Sequence, residues 1–168
     1  MGEIVYLSLG SNLGNREAYL TRATQRLADM MGLKLLAESS LYHSRPLECP
    51  DDCPDFLNKV IKVDCTLKPV QLLDNTERLE FEFGRVEKGT RVNRVIDIDI
   101  VLFGSRIFKN DRLEIPHPRM IQRAFVLIPL VEIDPGVVDP RTNERFAGML
   151  TKVGDQGVKI IKEPNLEQ

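Results

Sequence analysis

Two carboxylates stand one residue apart in an otherwise apolar run, RVIDIDIVLFG, residues 94–104. The alternation predicts a β-strand in which Ile96, Ile98 and Ile100 face one way while Asp97 and Asp99 face the other. Such neighbours have α-carbons about 7 Å apart, so both carboxylates can lean toward one cation or a pair of cations. Ionised groups this close repel each other, and a divalent metal removes the penalty. Acidic residues on the open face of a sheet can equally be just solvated, and the flanks decide between the two readings. Arg85, Lys88, Arg91 and Arg94 precede the aspartates in a glycine-containing loop, and Arg112, His117, Arg119 and Arg123 follow them. Oxygen ligands for Mg²⁺ beside planar guanidinium donors are what a metal-bound polyphosphate needs. Nucleotide-dependent phosphoryl transfer is the expected chemistry. No G-x-x-x-x-G-K-[ST] is present, so a P-loop does not carry it.

Other residues are less specific alone. LGSNLGN, residues 9–15, joins a strand to a helix but matches no nucleotide fingerprint, and a tight turn with Asn12 or Asn15 capping the helix is expected. His117 in PHPR has a backbone stiffened by two prolines beside basic side chains, which suits a hydrogen bond to phosphate, whereas His43 falls in a strand pattern. Phe56 and Phe125 suit the core by type, yet each abuts a Pro-rich or basic loop, which leaves stacking on a flat ring open.

The elements that position these residues follow from periodicity. Residues 3–10 alternate as a strand, and Ala18, Tyr19, Ala23, Leu27, Met30 and Met31 recur at helical spacing before Gly32. Residues 33–44 and 56–67 read as strands around the loop RPLECPDDCPD, and Pro69 opens a helix with Val70, Leu72, Leu73, Thr76, Leu79 and Phe83 as its apolar stripe. With the DID strand this gives β-α-β-β-α-β, the order of an α+β ferredoxin-like sandwich with an antiparallel sheet, helices on one face and the other face free for a ligand. A strand pair around Asn110-Asp111 and the apolar AFVLIPLVEI, interrupted by Pro129, add a C-terminal hairpin and short helices; from about Gly154 a polar tail is expected.

The 168 residues suit a single domain. A net charge of -2 speaks against a general nucleic-acid binder, while the basic side chains concentrate in residues 84–94 and 106–123, as for a local anionic ligand. An RNA-binding module of this fold would place aromatic and basic residues where this chain places carboxylates. A ligand-sensing regulatory domain would have no use for a metal-spaced pair. No run approaches a membrane span, and the N-terminus lacks signal-peptide features, so a cytoplasmic, monomeric protein is expected. Cys49, Cys53 and Cys65 are odd in number, and reduced thiols are expected over a metal site or a disulfide framework.

GSNLGN, RPLECPDDCPDFLN, GRV with NRVIDIDIVLFG, and IPHPRMIQRAFVLIPLVEI occur here in an order and spacing that resembles the 6-hydroxymethyl-7,8-dihydropterin pyrophosphokinases of folate biosynthesis, over about residues 4–140. The resemblance implies transfer of the β,γ-diphosphate of ATP to the pterin hydroxymethyl group, with release of AMP. It implies that Asp97 and Asp99 bind two Mg²⁺ ions, Asp97 also approaching the substrate hydroxyl, and that Arg85 and Arg94 clamp phosphate. Phe56 and Phe125 would sandwich the pterin, Asn58 would bond its edge, and Ser44 and Leu47 would add polar backbone. Arg112, His117 and Arg123 would surround the nucleotide, with Glu80 supporting the site and Ile100 near the adenine. The basic loop departs from the family: Glu87 stands where a cation is common, the Gly-Pro pair before Arg94 is missing, and Lys88 or Arg91 is left to contact phosphate. Pro118 also follows His117 where an aromatic sometimes occurs.

Overall fold

The β-branched, alternating start of the chain forms β1 (Glu3–Ser11), which buries Val5, Leu7 and Leu9 on one face. The coordinates are a computed structural model that describes residues 2–46, 53–84 and 95–164. Its antiparallel sheet runs in the order β5 (Asp97–Phe103), β1, β4 (Phe56–Cys65), β3 (Leu41–Ser44), β8 (Lys159–Lys162), and β2 (Leu33–Glu38) pairs with the other half of β4. The ferredoxin-like arrangement expected from the sequence is therefore present.

Two helices cover the face of the isoleucines. In α1 (Arg16–Ala28), Leu20, Ala23, Thr24 and Leu27 are buried at helical spacing, and the Asn15 side chain caps the first turn by accepting the Ala18 N–H at 3.1 Å. Gly32, at φ 91°, turns the chain into β2. In α2 (Pro69–Glu82), Pro69 opens the first turn and Leu72, Leu73, Thr76 and Leu79 face the sheet. Between these helices and the sheet lies one apolar cluster that includes Leu7, Leu9, Ile61, Ile96, Ile98 and Ile100.

The opposite face is only half open, which narrows the free face read from the sequence. AFVLIPLVEI folds as α3 (Ala124–Ile133) and packs with α4 (Phe146–Val153) over Tyr6, Val60, Val101 and Leu102. A helix apolar nearly all round has to be buried, and these strand positions supply the matching surface. Along β1 the outward residues change from Tyr6 to Ser8 and Gly10; along β5 they change from Leu102 and Val101 to Asp99 and Asp97. A bulge at Val101, between the Ile100 and Leu102 pairings, brings two apolar residues under α3 in succession. The uncovered half is the polar one.

Three further segments refine the sequence reading. Residues 33–44 form two strands because Ser39 and Ser40 break the ladder: Ser39 Oγ accepts the Val60 N–H at 2.9 Å, where a backbone carbonyl would otherwise serve. Residues expected in the polar tail supply β8, which pairs with β3 at the sheet edge. Cys53 is disulfide-bonded, against the expectation of reduced thiols, while Cys65 is a free buried thiol. Counting cysteines misses this because two thiols close in space can be oxidised whatever the total. The expected hairpin is present as β6 (Phe108–Lys109) and β7 (Glu114–Ile115), with Asn110 Oδ1 accepting the Arg112 and Leu113 N–H groups, each at 2.8 Å. Among the described residues no helix is long and apolar enough to cross a membrane.

Candidate functional site

Register alone places Asp97, Asp99, Ser44, Phe56 and Asn58 on the uncovered half of the sheet. Asp97 lies opposite Gly10, Gly10 opposite Asn58, and Asn58 opposite Tyr42, forming one row across four strands. Asp99 lies opposite Ser8, and Phe56 opposite Ser44. Strands are spaced about 4.8 Å apart, so Asp97 and Asn58 stand on strands about 10 Å apart, with glycine between them.

Gly10 lets two of these side chains close in on the sheet backbone. A β-carbon there would stand 3.1 Å from Asn58 Oδ1 and 3.6 Å from the Phe56 ring, so a side chain would push the Asn58 amide out of its place. Asn58 is buried, and its Nδ2 donates to Ser44 Oγ at 2.6 Å, which fixes the amide on the β3 side. The end of the loop leading into Phe56 is tied down by Asn12 Nδ2 to the Pro54 carbonyl at 3.2 Å and Arg16 to the Asp55 carbonyl at 2.6 Å. His43 adds a 2.9 Å contact from Nε2 to the Asp55 carboxylate.

On the other side, β5 is the sheet edge. The Ile98 N–H points outward to the buried Glu80 carboxylate at 3.4 Å, which links the end of α2 to the strand between the two aspartates. Ile100 has its side chain in the core, so only its backbone can meet a ligand; the alternation that turns the Ile98 N–H outward does the same for that of Ile100. The Val101 carbonyl accepts the His117 N–H at 3.0 Å, which seats PHPR beside the strand. His117 Nδ1 accepts the Arg119 N–H at 3.2 Å, which puts the proton of the neutral ring on Nε2.

Phe125 stands at the start of α3 on the covered side, with the Arg123 guanidinium 5.6 Å from its ring centre. Arg112 instead reaches α2, bonding Asp74 at 2.8 Å and Glu77 at 2.9 Å. Leu47, Arg85, Lys88, Arg91 and Arg94 lie outside the described residues. The sequence reading passes over Ser8, Gly10 and Arg16 and offers Asn12 only as a helix cap, a place Asn15 takes while Asn12 bonds Pro54; the glycine at a strand end was a usable signal of close approach, whereas the others are joined to the site only by contacts between distant segments.

Behind the open floor, polar side chains anchor α3 to the sheet. Ser40 N–H donates to Glu132 Oε1 at 2.8 Å and its hydroxyl to Oε2 of the same carboxylate, while the Tyr42 hydroxyl also bonds Glu132. Burial and then the Glu132 charge push the Tyr42 hydroxyl up to about 12. The Tyr6 hydroxyl donates to Asp134 at the end of α3; burial, then that hydrogen bond, raises its pKa above the ordinary tyrosine value.

The fold and the outward carboxylate pair are those expected of a ferredoxin-like phosphoryl-transfer enzyme. Residues 6–135 match the model of the 7,8-dihydro-6-hydroxymethylpterin-pyrophosphokinase (HPPK) family, and the chain belongs to that family. The 2-amino-4-hydroxy-6-hydroxymethyldihydropteridine pyrophosphokinase of Haemophilus influenzae is 41% identical over 137 residues, spanning 82% of this chain and 85% of that protein. The folic acid synthesis protein fol1 of Pneumocystis carinii is 42% identical over 159 residues, 95% of this chain, which spans only 21% of that longer protein. In fold, the chain resembles the crystal structure of Plasmodium falciparum HPPK-DHPS with pteroate, at a TM-score of 0.70 and 16% identity over 89% of this chain and 42% of that one.

Proposed function

We propose that the chain transfers the β,γ-diphosphate of ATP to the hydroxymethyl group of 6-hydroxymethyl-7,8-dihydropterin, releasing AMP, as a step of folate biosynthesis. The observation that carries this reading is the row Asp97, Gly10, Asn58: a carboxylate strand and a buried, oriented amide on one face, with a glycine between them against which Asn58 and the Phe56 ring lie closely. Asn58 bonds the pterin edge with Ser44 behind it and the backbone at Leu47 nearby. Phe56 and Phe125 hold the ring between them. The hydroxymethyl group then points toward β5, and Asp97 orients its hydroxyl. The hydroxyl oxygen attacks the β-phosphorus in line, a new oxygen–phosphorus bond forms, and the bond from the β-phosphorus to the α,β-bridging oxygen breaks, leaving that oxygen on AMP.

The donor set fits Mg²⁺. Asp97 and Asp99 offer hard oxygens only, and no group of three or more His, Cys, Asp or Glu side chains that could hold a metal exists among the described residues, so the remaining positions fall to phosphate oxygens and water, as this ion prefers. Two such ions, when bound with ATP, supply neutralisation of the triphosphate charge. Arg85 and Arg94 clamp the phosphates, with Lys88 or Arg91 assisting; His117, donating from Nε2, and Arg123 meet the nucleotide, and Arg112 joins them by exchanging its carboxylate partners for phosphate. The outward N–H of Ile100 meets the adenine, and Glu80 holds β5 in place. The proposed working unit is a monomer in the cytoplasm.

ATP consumption in the presence of Mg²⁺ should require the reduced hydroxymethyl pterin; consumption at the same rate without it would overturn the proposal. Replacing Phe56 or Phe125 with Ala should weaken pterin binding by about tenfold or more, since a stacked ring contributes on the order of 1–3 kcal/mol, and should leave ATP binding within about twofold. Titration calorimetry with each substrate separately checks this. Equal weakening of both would remove the rings from the pterin pocket.

A further inference from the structure

Glu132 stands seven residues after Phe125 in α3. At 100° per residue the two lie within about 20° of each other around the helix, two turns apart, on one stripe. Phe125 stands in the first turn of α3 and Glu132 in its last, both less buried than Leu127 and Leu130 between them. Both oxygens of the Glu132 carboxylate are engaged at the β2–β3 break, by the Ser40 N–H at 2.8 Å, by the Ser40 hydroxyl and by the Tyr42 hydroxyl. Ser40 and Tyr42 are buried, so the Ser40 N–H and hydroxyl lose a partner that water does not readily replace if the carboxylate lets go. Tyr42 in turn stands opposite Asn58, and two residues on Ser44 receives the Asn58 amide.

Apolar packing buries Ala124, Val126, Leu127 and Leu130 and leaves Phe125 and Glu132 together on the less buried side of the helix. Pro129 has no N–H to donate to the Phe125 carbonyl, so the first turn, which carries the ring, lacks one bond from within the helix. A side-chain bond on the same stripe ties that side of the helix to the sheet.

We propose that Glu132 is a positioning residue for pterin recognition: bound to Ser40 and Tyr42, it fixes the roll of α3 and thereby the place of the Phe125 ring over the strand that carries Asn58. The inference rests on the reading of Phe125 and Asn58 as pterin contacts. It gives the ring and the amide, which come from segments far apart in sequence, one common anchor. ATP, held at β5 and its neighbouring loops, does not depend on it.

Glu132→Gln keeps the shape and replaces the charge-assisted bonds with weaker ones. The expected result is a rise in pterin Kd and KM of about tenfold, with ATP KM and saturating kcat within about twofold of wild type and circular dichroism unchanged. Ser40→Ala, which removes one of the bonds and keeps the backbone N–H, should give the same split in smaller measure, and it serves if the first variant fails to fold. Pterin and ATP binding to wild type and to both variants are measured by calorimetry. Unchanged pterin affinity in a folded variant, or equal loss for pterin and ATP, would overturn the positioning role while leaving the proposed activity standing. A wild-type chain that binds ATP and no pterin would sink both.

Discussion

Asp97→Ala and Asp99→Ala should each lower turnover by about a thousandfold or more, the scale of removing a preorganised electrostatic group from a transition state, while the folded state persists. Both side chains project from the face opposite the isoleucines, onto the half of the sheet that α3 and α4 leave uncovered. Neither carboxylate is part of the apolar core. The loss should appear in kcat and kcat/KM together, because charge neutralisation acts on the triphosphate as it reacts. Steady-state kinetics with thermal melting checks the pair of claims. A variant that unfolds, or that keeps full activity, contradicts the metal role.

Ile98→Ala should do the opposite. Ile98 lies between the two aspartates in sequence and is fully buried against the helices. Truncating it leaves a cavity that costs about 2–5 kcal/mol, a large share of the roughly 5–15 kcal/mol that holds a domain together. Its backbone N–H, bonded to Glu80, is retained. Urea unfolding should therefore show a clearly lowered midpoint with an unchanged slope, and at low temperature the folded fraction should still turn over. Adjacent residues with reversed phenotypes are the signature of strand alternation.

That alternation is why so much was legible in the sequence. Period two in VIDIDIVLF and period 3.6 in the two helices fix which side chains meet the core, and from them the order of elements and the exposure of Asp97 and Asp99 follow. What periodicity does not contain is pairing between distant segments. Gly10 and Asn58 are 48 positions apart in sequence and opposite each other in the sheet. The break at Ser39 and Ser40 was hidden because serine alternates in a strand pattern as well as any polar residue; the partner of the Ser40 N–H, Glu132, comes from α3. The covering of half the outer face by α3 was likewise unreadable, since an apolar segment with an internal proline states that it is buried and not against what. β8 was missed for the converse reason: its four residues are all exposed and give no core-facing signal.

The most direct test of the account is the nucleotide released when the protein is incubated with ATP, Mg²⁺ and 6-hydroxymethyl-7,8-dihydropterin. Attack at the β-phosphorus predicts AMP in amounts equal to a pterin product carrying two phosphates, resolved by chromatography and mass spectrometry. ADP with a singly phosphorylated pterin, or no pterin product at all, would contradict it.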